Sequence, residues 1–350
     1  MPLMMNGGRV PARWAEKKNM SPRHAHEHEH SGNAADCLKI ALVNNMPDPA
    51  LEDTELQFFE LLDAASGEVP VFIKLYSLPE ITRGDRAQHH LSSHYFGIDD
   101  LLNTKFDGAI ITGTEPRQPN LRDEPYWRMM VDVFNWAERN TTSAVLSCLA
   151  AHASVLHSDG IDRSPLADKQ FGVFDYKRFS EHPLISGTPA TVRFPHSRWN
   201  EVRADVLVSC GYSVLTASSE GGVDLFVKQK KQSLFVHFQG HPEYFSRTLL
   251  KEYRRDIRRF LTRERESYPS RPHGYFDSEA VKLLDEFRQN AETHRQEDLM
   301  DVFPEAAVGE TLQNTWRESA LCIYRNWLQV LMSKRIGVSH IPAAVRTGTR

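Results

Sequence analysis

Apolar positions along this chain follow two rhythms. Short, nearly unbroken apolar runs occupy residues 38–44, 71–76, 106–113, 142–146 and 234–238, the pattern of strands buried on both faces. Between them lie stretches with helical spacing: residues 51–65, where Leu56, Phe59 and Leu62 share a side, then 126–139 and 149–157. Strands alternating with helices imply an α/β fold, a mostly parallel sheet with helices on both faces. Further on, residues 246–262 read as a helix with Ser246 as its N-cap. Residues 278–294 carry Ala280, Val281, Leu283, Leu284 and Phe287 at helical spacing and read as an added helix. Residues 321–332, with Trp327, read as a final apolar helix.

The flanks differ in character. Residues 1–36 are polar and rich in Gly, Pro, Arg and His, which predicts a disordered tail. His24, His26, His28 and His30 could chelate a transition metal, but a solvated tail suffices and no metal site is assigned. Residues 37–335 form one predicted α/β domain with a helical insertion at 278–312, and 336–350 read as a mobile tail.

Composition narrows the function classes. A net charge of −4, with 40% hydrophobic and 25% charged residues, gives no general drive towards nucleic acid or membrane. The four cysteines include no CxxC pair, which argues against a zinc ribbon and a disulfide framework. No 18-residue apolar run occurs, so the cytoplasm is the expected location.

The chemistry concentrates at two strand ends. Ser147-Cys148-Leu149-Ala150-Ala151-His152 joins the strand at 142–146 to the helix at 149–157, placing a thiol at a helix N-terminus. A buried structural cysteine is the alternative for that stretch alone. About 90 residues on, the run 234–238 stops at Gly240-His241-Pro242-Glu243, so His241 and Glu243 project the same way from an extended chain. A thiol needs a base, and the base needs an orienting carboxylate. Cys148, His241 and Glu243 supply those roles as the catalytic set. In parallel sheets ligands bind at the carboxyl ends of strands, where Thr112-Gly113, Cys148 and His241 would gather. His152, one turn from the cysteine, is either a second base or a packed ring.

Several short blocks then stand in a recognisable order: Asp107-Gly108 through Thr112-Gly113, Tyr126-Trp127, Cys148, Phe171-Gly172-Val173-Phe174, Pro195-His196-Ser197-Arg198, Gly240-His241-Pro242-Glu243-Tyr244, Glu252 with Arg255-Asp256, Thr315-Trp316-Arg317 and Asn326-Trp327-Leu328. The chain resembles a divergent member of the homoserine O-acyltransferase (homoserine transsuccinylase) family of methionine biosynthesis, over about residues 38–276 and 313–332. The resemblance implies a class I glutamine-amidotransferase-like, flavodoxin-like fold. It also implies transfer of an acyl group from acyl-CoA, a co-substrate, to the hydroxyl of L-homoserine, with no other cofactor.

By the same resemblance Lys169, Ser197, Glu252 and Arg255 are substrate-binding. A carboxylate and a guanidinium three residues apart suit the two charged ends of an amino acid, although alone they also fit a surface ion pair. The position that tunes acyl choice falls at Arg117, where succinyl users carry glycine and acetyl users glutamate. A guanidinium there favours the free carboxylate of succinyl-CoA. Relatives are commonly dimers, so the expected partners are small-molecule substrates and a second copy. Two departures stand out: Leu149-Ala150 and His152 replace the family's usual Trp-Gly or Trp-Ala and Gln, and Asp48-Pro49 replace lysines after Met46-Pro47. Serine as acceptor, and a glutaminase using the same Cys-His-Glu logic, are the alternatives; a non-catalytic thiol sensor is a third.

Overall fold

The computed structural model describes residues 3–5, 9–19 and 37–336. Twelve strands occur among them: β1 (Leu3–Met5), β2 (Leu38–Val43), β3 (Val71–Tyr76), β4 (Gly108–Thr112), β5 (Ser143–Ser147), β6 (Ser164–Arg178), β7 (Thr191–Glu201), β8 (Ser213–Val214), β9 (Thr216–Ser218), β10 (Gly222–Val223), β11 (Leu225–Lys230) and β12 (Ser233–Phe238). The main sheet has eight strands in the order β1-β3-β2-β4-β5-β12-β11-β8. Pairing is parallel from β1 across to β12 and antiparallel from β12 through β11 to β8.

Both faces are covered, and the strand sequences show why. On β2, Leu38, Ile40 and Leu42 pack into a core beneath the helices Asp48–Ser66 and Arg317–Arg335, while Ala41 and Val43 face the helices Trp127–Asn140 and Leu149–Asp159. Val145 of β5 joins the first core, and Ala144 and Leu146 join the second. An unbroken apolar run is therefore a strand with two buried sides. The helix read over residues 51–65 begins earlier, with Asp48 and Pro49 in its first turn, where a proline without an N–H costs nothing.

Register places the strand ends. Thr112 of β4 pairs with Ser147 of β5, and Ser147 pairs with Phe238 of β12. Three strands thus finish on one rung, and the residues that follow them emerge together.

A second, four-stranded antiparallel sheet, β10-β9-β6-β7, was not foreseen from the sequence. Its pairs Phe171↔Ser197 and Gly172↔His196 bring two of the quoted blocks side by side. Gly172 is required there: its φ is +140°, and an added Cβ would lie 2.3 Å from the backbone of His273.

Two expectations change. Residues 1–36 are not uniformly without structure, since β1 adds to the sheet edge beside β3 and a short helix, Ala12–Lys17, docks on the Asp48–Ser66 helix. Buried Leu3 and Trp14 anchor them, the indole lying edge-on to Phe59 at 5.5 Å. His24, His26, His28 and His30, and residues 337–350, lie outside the described residues. Ser246 is not an N-cap: the helix runs Thr248–Leu261 with Arg247 at the cap position. The predicted insertion forms a helix, Ser278–Thr293, whose N-cap Asp277 accepts from Ala280 N–H at 2.8 Å. Its Leu284, Phe287 and Ala291 share a core with Tyr253, Ile257 and Phe260, so it covers the Thr248–Leu261 helix of its own chain.

Candidate active site

Cys148 sits at the turn between β5 and the Leu149–Asp159 helix, with φ 51° and ψ −110°. A positive φ at a residue with a Cβ is strained, and such strain tends to be kept where it aims a reactive side chain. The turn is held by its own amide, which donates to Phe238 O at 2.8 Å. Gly113, the residue after β4, makes the close approach possible: a Cβ there would stand 2.3 Å from Leu149 Cβ.

His241 and Glu243 follow β12 on the neighbouring position. The imidazole is buried, Nδ1 lies 2.8 Å from Glu243 Oε1, and the ring is within electrostatic reach of the Cys148 sulfur. With Nδ1 on the carboxylate, Nε2 is the nitrogen left for the sulfur. Glu243 Oε1 also accepts from Ser147 Oγ at 3.4 Å. Burial works against charge on the imidazole, but the Glu243 carboxylate and the Cys148 thiolate outweigh it and hold the imidazole pKa well above its ordinary value. An imidazolium beside the sulfur is the partner an attacking thiolate needs.

The predicted substrate-binding residues converge on the same place through a chain of polar contacts. Tyr244 stacks on His241, with ring centroids 4.2 Å apart, and its hydroxyl donates to Glu252 Oε1 at 2.7 Å. Ser197 Oγ donates to the other oxygen of Glu252. Arg255 Nη2 lies 4.0 Å from Glu252 Oε2 and 3.0 Å from Asp256 Oδ1, and Lys169 Nζ lies 2.8 Å from Asp256 Oδ2. Burial raises the Asp256 pKa, but Lys169 and Arg255 more than reverse that and hold it below the ordinary carboxylate range.

Arg117 stands apart from this group. It is exposed, and its backbone N–H donates to Glu124 Oε1 at 2.5 Å. An arginine within electrostatic reach of Cys148 is Arg163, which the sequence did not single out; it also senses Tyr126 and Glu124 and donates to Pro119 O at 3.3 Å.

His152 is a packed ring and not a second base. It is fully enclosed, Nε2 lies 2.8 Å from Gln239 Oε1, and burial, with Arg198 adding to it, takes its pKa down to about 3. Gln239 Nε2 donates to Val202 O and Val223 O, which turns Oε1 towards the ring and makes His152 Nε2–H the donor. Tyr244 and Asp256 were legible only as parts of quoted blocks, without roles.

Among the described residues no helix is long and apolar enough to cross a membrane.

Residues 13–337 match the family model described as homoserine O-succinyltransferase. The homoserine O-succinyltransferase of Rhodopseudomonas palustris is 44% identical over 301 residues, covering 86% of this chain and 90% of that protein. That of Bradyrhizobium japonicum is 42% identical over 295 residues, covering 84% and 90%. Among solved structures, a glutamine amidotransferase from Methylobacillus flagellatus is similar at 14% identity and a TM-score of 0.46, covering 84% of this chain and 95% of that one. On the family match and these identities, the chain belongs to the homoserine O-succinyltransferase family of acyltransferases.

Proposed function

We propose that this enzyme moves a succinyl group from succinyl-CoA to the hydroxyl of L-homoserine through an acyl group carried on Cys148, as a step towards methionine. The observation that carries this is His241, paired with Glu243, beside Cys148 at the sheet end, with Glu252 linked to the imidazole through Tyr244.

In the first step the Cys148 thiolate attacks the thioester carbonyl, and the coenzyme A thiolate leaves, so one thioester replaces another. Cys148 N–H is already committed to Phe238 O. The oxyanion is therefore met by the following amides, Leu149 and Ala150, in the first helical turn, whose N–H groups have no partner within the helix. Acylation removes the thiolate charge, one of the influences that raise the His241 pKa. The imidazolium hands its proton to the departing coenzyme A thiolate and is then available as a base. In the second step the acceptor hydroxyl attacks the acyl-cysteine, His241 Nε2 takes the hydroxyl proton, and the Cys148 thiolate is released. Two easier steps replace one hard one, with ping-pong kinetics.

Glu252 meets the ammonium of the acceptor and Arg255 its carboxylate, with Ser197 and Lys169 holding Glu252 and Asp256 in place. Arg117 biases the donor towards succinyl over acetyl. No cofactor beyond the coenzyme A ester takes part.

Mass spectrometry of the intact protein after incubation with succinyl-CoA alone tests this. A succinyl adduct on Cys148 that homoserine discharges is the expected result. No adduct overturns the covalent route; discharge by serine but not homoserine overturns the acceptor, and an adduct from glutamine instead makes the protein a glutaminase.

A further inference from the structure

A buried polar cluster behind the candidate site has no part in the chemistry above. Three consecutive amides lead the chain out of β12, and each has a fixed acceptor. Gln239 N–H donates to Asp224 O at 3.0 Å, Gly240 N–H to Asp224 Oδ1 at 2.7 Å, and His241 N–H to Pro195 O at 2.8 Å. Asp224 thus holds the two amides that precede the imidazole. Gly240 is matched to it, since a Cβ would come within 2.8 Å of both Asp224 Oδ1 and the His196 ring.

Asp224 is wholly buried, and its Oδ2 has no hydrogen-bond partner among the described residues. His196, equally buried, stands behind it: Nε2 is 3.4 Å from Asp224 Oδ1 and 2.7 Å from Tyr176 Oη. Arg198 Nε lies 3.2 Å from His196 Nδ1, and the guanidinium is fixed on Asn200 O and Gly221 O. Because Arg198 Nε can only donate, His196 Nδ1 is the acceptor and the ring proton sits on Nε2. A hydrogen-bond anchor for Gly240 alone would be met by an amide oxygen. A carboxylate with an orphaned oxygen, fully out of water, is a costly choice whose distinguishing property is charge.

We propose that Asp224 is a positioning residue for His241: it pins the Gly240 amide so that the imidazole meets Cys148, and its negative charge reinforces the imidazolium. The inference rests on Cys148 and His241 being the reacting pair, and not on the identity of the donor or acceptor.

The charged and titratable groups facing Asp224 are His196 and Arg198 from β7, Tyr176 from β6, and His241 and Glu243 from the loop after β12. Burial raises the carboxyl pKa, against the Gly240 N–H, Arg198 and His241, and leaves it at about 7. The anchor therefore gains its charge across the neutral range, where the imidazolium has to persist.

Alkylation of Cys148 in the full-length protein by iodoacetate, an anionic reagent that reports the thiolate–imidazolium pair, reads this without any acyl donor. With Asp224→Asn the anchor is kept and the charge lost. The maximal rate should stay within about threefold of wild type, while the alkaline limb moves down by about half a pH unit or more. With Asp224→Ala the anchor is lost as well, and alkylation should slow about tenfold or more at every pH, a loss that Asn restores. An alkaline limb for Asp224→Asn that superimposes on wild type, or a wild-type rate for Asp224→Ala, overturns the proposal. Should the alanine variant not fold, the asparagine profile decides alone. A shifted limb in a protein that no coenzyme A ester acylates would uphold this inference while sinking the proposed donor.

Discussion

Tyr244 lies flat against His241, the ring planes 15° from parallel, and hands its hydroxyl hydrogen to Glu252. One side chain thus touches both the proposed base and the proposed acceptor site. Replacing it by phenylalanine keeps the stacked ring and removes a hydrogen bond to a charged group. The expected outcome is a KM for the acceptor raised about tenfold or more with kcat within about threefold. Steady-state kinetics with the acceptor varied at saturating donor measures the split; a lowered kcat with unchanged KM would contradict it.

The raised His241 pKa would set opposite demands on the two proposed half-reactions. Attack on the donor uses imidazolium, so acylation should persist well above pH 6.5 before it falls. Deacylation uses the neutral ring after the thiolate charge has gone, and should rise at lower pH than the point where acylation is lost. Single-turnover measurements of adduct formation and adduct discharge across pH separate the limbs. The same shift is a stability statement with a definite sign. The imidazolium interactions contribute fully below pH 6.5 and are lost as pH rises through the raised value, so the stability advantage over His241→Asn should shrink on the alkaline side.

The proposed role of the exposed Arg117 is donor choice. Exchanging it for glutamate reverses the charge offered to a free carboxylate on the acyl group. The ratio of kcat/KM for succinyl-CoA over acetyl-CoA should fall by about tenfold or more, a change of ~1.4 kcal/mol. An unchanged ratio would transfer the role to Arg163, the cation nearer the sulfur in electrostatic terms.

Lys169 and Asp256 form an ion pair whose side chains are 8% and 7% exposed. Lys169→Met removes one partner and leaves Arg255 to hold the carboxylate, so the cost should lie towards the lower end of the ~3–5 kcal/mol typical of breaking a buried pair. The Asp256 pKa is depressed, so its contribution is present above the ordinary carboxylate pKa and lost as pH falls through the lowered one. Urea unfolding of wild type and variant at pH 7 and at pH 3 reads both. A difference as large at pH 3 as at pH 7 would mean that packing, and not charge, dominates.

Much of this was legible in the residue pattern because strands buried on both faces leave unbroken apolar runs. β2, β5 and β12 announced themselves in that way, and Cys148 and His241 were visible as the polar residues at their exits. β6 and β7 gave no such signal: their side chains alternate irregularly between water and core, and β6 shifts register between Pro165 and Gln170. With that sheet unseen, Asp224 and Tyr176 looked ordinary and His196 was legible only as part of a quoted block, since only the pairing of distant segments closes them into one cluster. The helix start at Thr248 was missed because a serine two positions earlier fits capping chemistry, whereas the chain there still follows the turn that delivers Tyr244 to His241. Leu3 and Trp14 were overlooked because two apolar anchors in a polar tail carry no periodicity.

Ser147 and Glu243 meet although 96 positions separate them along the chain. The rung on which β4, β5 and β12 finish can exist only after β12 has slid in beside β5, closing a loop that contains the whole antiparallel sheet. Without that pairing nothing in the chain holds Cys148 near His241. The proposed nucleophile and base are therefore a property of the closed sheet and not of either segment alone, so any change that loosens β12 from β5 should uncouple them before it disturbs either side chain.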